Sequence, residues 1–61
     1  MKYTTEFVAD MIQKVNEEAH KPLTQKEQEF MISITDQFDR RAWLSDPQID
    51  YLESIYTEKT P

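Results

Sequence analysis

The 61-residue chain contains no glycine and no cysteine. A loop that cradles phosphate needs glycine so that the backbone can approach the ligand closely. A P-loop and a dinucleotide-binding fingerprint are therefore both excluded. Without thiols there is no disulfide framework and no thiolate metal site, a usage that fits a reducing compartment. Long apolar runs are missing too, and no stretch approaches the length that spans a bilayer. The first ten residues, MKYTTEFVAD, carry charges where a signal peptide needs an apolar run. The expectation is a cytoplasmic protein with no membrane partner.

Positive charge is scarce. Seven basic residues face twelve acids, for a formal charge of −5. A basic stripe is the usual footprint of nucleic-acid binding, so bulk attraction to DNA is not expected. Acidity most simply serves solubility. It also suits a basic partner surface or mimicry of DNA. Histidine occurs once, at His20, beside Lys21 at the end of a helical pattern, where a cation complements the helix dipole. Nothing supports a catalytic triad, and neither a calcium loop nor zinc-ligand spacing is present. Carboxylates pair along the chain at Glu17/Glu18, Glu27/Glu29 and Asp36/Asp39. All fall on expected solvent faces, where charge runs usually serve solvation. No enzyme activity, cofactor, metal or small-molecule substrate is expected.

What is present is helical periodicity, enough for one small domain with a small core and marginal stability. Phe7, Val8, Met11, Ile12, Val15 and Ala19 fill one arc at 100° per residue. With Thr4 or Thr5 as cap and Pro22 as stop, they predict a helix over about 5–19. Thr24 and Glu27 have capping-box spacing and open a second helix, about 25–41, with Phe30, Met31, Ile34 and Phe38 on its apolar stripe. Ser45 and Gln48 form a second box, Pro47 fits the first turn, and Leu44 and Ile49 hold the positions of a hydrophobic staple. The third helix is expected over about 46–57, with Ile49, Leu52, Ile55 and Tyr56 inward and residues 58–61 frayed. The fold class is an all-α, compact three-helix domain.

Two of these helix starts are nearly the same sentence. LTQKEQEFMISI, residues 23–34, aligns with LSDPQIDYLESI, residues 44–55, at an offset of 21. Leu23 matches Leu44, Thr24 matches Ser45, Glu27 matches Gln48, Phe30 matches Tyr51 and Ile34 matches Ile55. Convergence on good helix-start chemistry and duplication of a helical unit both account for this. Two copies are too few for a solenoid.

Between the copies lies DRRAWLSD, residues 39–46. Arginine and tryptophan are enriched at binding hot spots, and an aromatic beside arginines can stack on a base while they hold phosphate. Arg40, Arg41 and Trp43 are thus candidates for contact with DNA or a protein partner. The competing structural reading gives the arginines to the helix C-terminus and makes Trp43 a plug for the base of the core. Ile32 lies roughly 150° from the centre of its helix stripe, and Tyr51 lies at the edge of the next. Ile32, Tyr51 and Tyr56, with Tyr3, form a candidate apolar partner patch.

The pattern LTxxExEFMxSIxxQFxRRxWLSDxQxxYLxxIY resembles the small all-helical protein family associated with the UvsW helicase of T-even-type bacteriophages, often labelled helicase UvsW. The resemblance covers roughly residues 23–57. It implies a setting in phage DNA recombination, replication and repair, in the cytoplasm of an infected host. It implies an accessory role near a helicase or branched DNA. The motor activity does not carry over, because the chain has no glycine for a Walker motif. Two other roles stay open. One is an acidic inhibitor that offers its carboxylates to a host DNA-binding protein. The other is a structural domain stabilised by oligomerisation or docking.

Overall fold

Three helices follow one another in the computed structural model, which describes residues 1–60. They are α1 (Thr5–Glu18), α2 (Gln25–Arg41) and α3 (Asp46–Lys59), and no strand occurs among the described residues. The all-α, three-helix expectation holds.

Thr4, not Thr5, caps α1, and its Oγ1 accepts the N–H of Phe7 at 3.1 Å. Val8, Met11, Ile12 and Val15 are buried. Phe7, expected on the same stripe, is 44 % exposed. It lies about 90° from the centre of that arc, and its ring instead meets Tyr3 edge-on, with centroids 4.8 Å apart. The helix ends one residue earlier than expected, because Ala19 is already extended.

Both capping boxes form. In α2 the Oγ1 of Thr24 accepts the N–H of Glu27, and Glu27 Oε1 accepts the N–H of Thr24 at 2.9 Å. In α3 the Oγ of Ser45 accepts the N–H of Gln48, and Gln48 Oε1 accepts the N–H of Ser45 at 2.8 Å. Each box satisfies two donors that the first turn of a helix leaves free. Leu44 and Ile49, the expected staple, are both fully buried. The corresponding position in α2 is polar. Gln28 donates its side-chain amide to the carbonyl of Leu23 at 3.1 Å, so a hydrogen bond replaces the staple.

The C-terminal boundary differs from expectation. α3 continues to Lys59, and the N–H of Thr60 donates to the carbonyl of Tyr56 at 3.2 Å. Residues 58 and 59, expected to fray, are helical. The last residue of that expected tail, Pro61, lies outside the described residues.

Paired ends set the directions of the helices. Lys2 and Tyr3, just before α1, bond Asp50 and Glu53 near the start of α3. His20, just after α1, bonds the last residue of α3. α1 and α3 therefore run parallel. α2 runs against both, since Glu27 at its start meets Lys59 and Gln37 in its second half meets Gln48. The core gathers Val8, Met11, Ile12 and Val15 from α1, Met31 and Ile34 from α2, and Ile49, Leu52 and Ile55 from α3, with Leu44 closing one end. Removing this apolar surface from water is the main force holding the three stripes together.

The sequence repeat reappears in space. Phe30 and Tyr51 are equivalent positions, and their rings pack on each other with centroids 4.4 Å apart. Antiparallel helices related by an approximate two-fold axis bring equivalent residues together at the axis. The same relation pairs Gln37 with Gln48 and, 21 positions away, Glu58 with Glu27. The two glutamines exchange amide hydrogen bonds of 3.2 and 3.1 Å. Glutamate has no amide hydrogens to exchange in this way. Lys59 Nζ instead bridges the two carboxylates, 3.8 Å from Glu27 and 3.5 Å from Glu58.

Candidate functional site

The α2–α3 junction is a tight reversal. Arg40 and Arg41 occupy the last turn of α2, where cations favour the negative end of the helix dipole. Ala42 follows in the left-handed region at φ 52° and ψ 37°, and its N–H donates to the carbonyl of Phe38 at 2.8 Å. This is the usual helix stop, although the position normally takes glycine. The reversal aims Leu44 into the core, fully buried, and leaves Trp43 46 % exposed. Successive residues of an extended segment point to opposite sides. The neighbour of the buried leucine therefore faces water, and Leu44, not Trp43, plugs the core.

The junction is held from α2. Gln37 donates its amide to the carbonyl of Trp43 at 3.3 Å and also pairs with Gln48. The turn is thus tied to both helices rather than free to swing. Arg40 Nε lies 3.3 Å from Asp36 Oδ2, one helical turn earlier, in a highly exposed pair. Arg41 is exposed and forms no ion pair among the described residues. The two arginines border a shallow depression with Ser33, Asp36 and Gln37. Three carboxylates, Asp36, Asp39 and Asp46, belong to the same stretch of chain. Any phosphate contact here is therefore modest in strength, with Arg41 available outright and Arg40 only after releasing Asp36.

The structure brings Arg40, Arg41 and Trp43 to one exposed junction. It does not bring Ile32, Tyr51 and Tyr56 together. Ile32, 71 % exposed, stands beside a depression shared with Asn16, Met31, Thr35, Asp36 and Asp39. Tyr51 is half-buried against Phe30, and Phe30 and Ile32 lie 200° apart around α2. Tyr56 is half-buried on the core and close to Lys14 of α1. The two tyrosines are five positions apart, so they lie on different faces of α3. The expected patch is thus three separate surroundings.

Three side chains were missed by sequence reasoning: Gln37, which holds the turn, and Asn16 and Thr35, which bridge α1 and α2 at 3.3 Å. No local pattern marks them, because the Asn16–Thr35 and Gln37–Gln48 bonds depend on how two helices cross.

Near the termini, Asp50 bonds the Lys2 ammonium and raises its pKa. The Tyr3 hydroxyl donates to Glu53, and this bond raises the tyrosine pKa. Asp10 raises the pKa of Lys14 by charge attraction. None of these groups lies at the junction. Among the described residues no group of three His, Cys, Asp or Glu side chains is placed to hold a metal ion. No helix among them is long and apolar enough to cross a membrane. Comparison with protein-family models, curated proteins and solved structures finds no match to the chain.

Proposed function

We propose that the chain is a small non-enzymatic interaction domain that acts beside a helicase or branched DNA in phage recombination, replication and repair. The biological setting rests on the resemblance of residues 23–57 to the UvsW-associated family. The observation that carries the contact role is the exposure of Trp43 beside Arg40 and Arg41 on a turn tied down by Gln37. A turn whose main chain is already held loses little backbone freedom on binding. Trp43 on that turn suits stacking on an unpaired base or insertion into a partner pocket.

Anisotropy of labelled single-stranded, duplex and branched DNA, across a salt series, tests this reading. Two arginines neutralise one or two phosphates, so the slope of log K against log salt should be about −1 to −2. Arg40→Ala/Arg41→Ala should abolish binding. If no form of DNA binds at low salt, the junction does not act on DNA directly.

A second reading has a specific observation behind it. An acidic inhibitor would present Glu17, Glu18, Asp36 and Asp39, and of these Glu17, Asp36 and Asp39 line adjoining depressions between α1 and α2. Glu18 does not join them. Loss of function on neutralising these acids, with Arg40 and Arg41 intact, would favour the inhibitor.

A further inference from the structure

Two adjoining depressions, of about 340 and 280 Å³, run along the seam between α1 and α2. They share Asn16, Thr35 and Asp39 and so adjoin as one groove, crossed at its middle by the Asn16–Thr35 hydrogen bond of 3.3 Å. Its α2 wall carries Ile32, Thr35, Asp36 and Asp39, spaced at i, i+3, i+4 and i+7. Its α1 wall carries Ala9, Ile12, Gln13 and Asn16 at the same spacing, with Glu17 beside them. Met31 and Phe38 contribute apolar surface to the floor. Enclosed ligand sites run to roughly 300–1,000 Å³; these depressions are open, one near the low end of that range and one just below it. They suit successive side chains of a docked helix.

The charges are one-sided. Glu17, Asp36 and Asp39 line the groove, and no lysine or arginine does. Asp36 is partly answered by Arg40, whereas Glu17 and Asp39 form no ion pair among the described residues. Ile32, 71 % exposed, projects at one end of the α2 wall. An apolar floor with an acidic rim is complementary to an amphipathic helix whose polar face is cationic.

We propose that the α1–α2 groove binds a cationic amphipathic helix of a partner protein, with apolar anchors beside Ile32 and beside Ile12, on either side of the Asn16–Thr35 hydrogen bond, and basic side chains on Glu17 and Asp39. This rests on the reading of the chain as an interaction domain, but not on the basic junction. Nucleic acid is a poor occupant, since the rim repels phosphate. A second copy of this chain is also poor, with its net charge of −5.

The test uses two synthetic peptides of leucine and lysine with identical composition. One is patterned as an amphipathic helix, and the other is scrambled to abolish its apolar face. Each is titrated into the isotope-labelled protein and followed by amide shift changes. The patterned peptide should bind at least about tenfold more tightly than the scrambled one, with shifts confined to α1 and α2 around Asn16 and Thr35. Ile32→Asp, and separately Glu17→Lys/Asp39→Lys, should each weaken it by about tenfold or more at unchanged melting temperature. Equal binding of both peptides, shifts centred elsewhere or no binding would overturn the proposal. Self-association through Ile32, detected by sedimentation, would also overturn it by making a second copy the occupant. Arg40→Ala/Arg41→Ala separates the two sites, because it should remove DNA binding and retain the peptide.

Discussion

The main-chain N–H of His20 donates to the carbonyl of Lys59 at 2.6 Å, joining the end of α1 to the end of α3. The side chain of the same lysine is only 11 % exposed and reaches Glu27 at the start of α2. One residue therefore ties all three helices at one end of the bundle. Lys59→Ala leaves the carboxylate of Glu27, only 13 % exposed, without its ion-pair partner. It should cost about 1–3 kcal/mol, or a fall in melting temperature of several degrees for a domain of this size. Glu58→Ala, at the exposed arm of the bridge, should cost less than about 0.5 kcal/mol. Thermal melts of the two variants check this.

The capping boxes give a second prediction. Thr24→Ala and Ser45→Ala should each destabilise by about 0.5–2 kcal/mol in chemical denaturation. Parental stability of both variants would mean that the repeated helix starts do not act as caps.

Ala42 gives a stabilising prediction. A residue with a β-carbon pays about 1–2 kcal/mol in the left-handed region, and Ala42 sits there at φ 52° in a chain without glycine. Ala42→Gly relieves this strain but frees the unfolded chain, which offsets about 0.4–1 kcal/mol. The net gain should be about 0.5–1 kcal/mol, read as a higher denaturant midpoint at unchanged slope.

Tyr3 predicts a pH dependence. Its bond to Glu53 holds the protonated hydroxyl and raises its pKa above the ordinary value of 10.0. The folded state therefore keeps a proton that the unfolded state releases. The stabilisation is complete below pH 10.0, falls as pH rises above it and is lost once pH passes the raised folded value. Between pH 9 and 11.5, about the tyrosine range, the parent should lose more stability than Tyr3→Phe. Parallel pH profiles would show that the bond contributes nothing.

The helices were legible in the sequence because their signals are local. The Thr24–Glu27 and Ser45–Gln48 boxes depend on a spacing of three residues, and the Leu52–Ile55 stripe depends on periodicity. The errors arose where tertiary contacts decide. Trp43 looked like a core plug by size, but the turn at Ala42 gave that place to Leu44. The tail looked frayed because nothing in TEKTP shows that His20 and Glu27 await Lys59. Ile32 lies off its stripe, Tyr51 at the edge of its own and Tyr56 within it, and periodicity does not say which helix each meets. Arg40, Arg41 and Trp43 were legible as a cluster because adjacent residues of one turn stay together however the helices cross. The meeting of Phe30 with Tyr51 was written in the 21-residue offset, but only the antiparallel pairing of α2 and α3 reveals it.

Trp43 is the only tryptophan in the chain, so its emission reports on the junction alone. The most direct measurement of the proposed contact is Trp43 fluorescence during titration with branched and single-stranded DNA at low salt. The account predicts quenching that saturates, reverses as salt is added and disappears in Arg40→Ala/Arg41→Ala. Unchanged emission with every DNA form, at concentrations where the labelled DNA is bound, would contradict it and place the contact elsewhere on the domain.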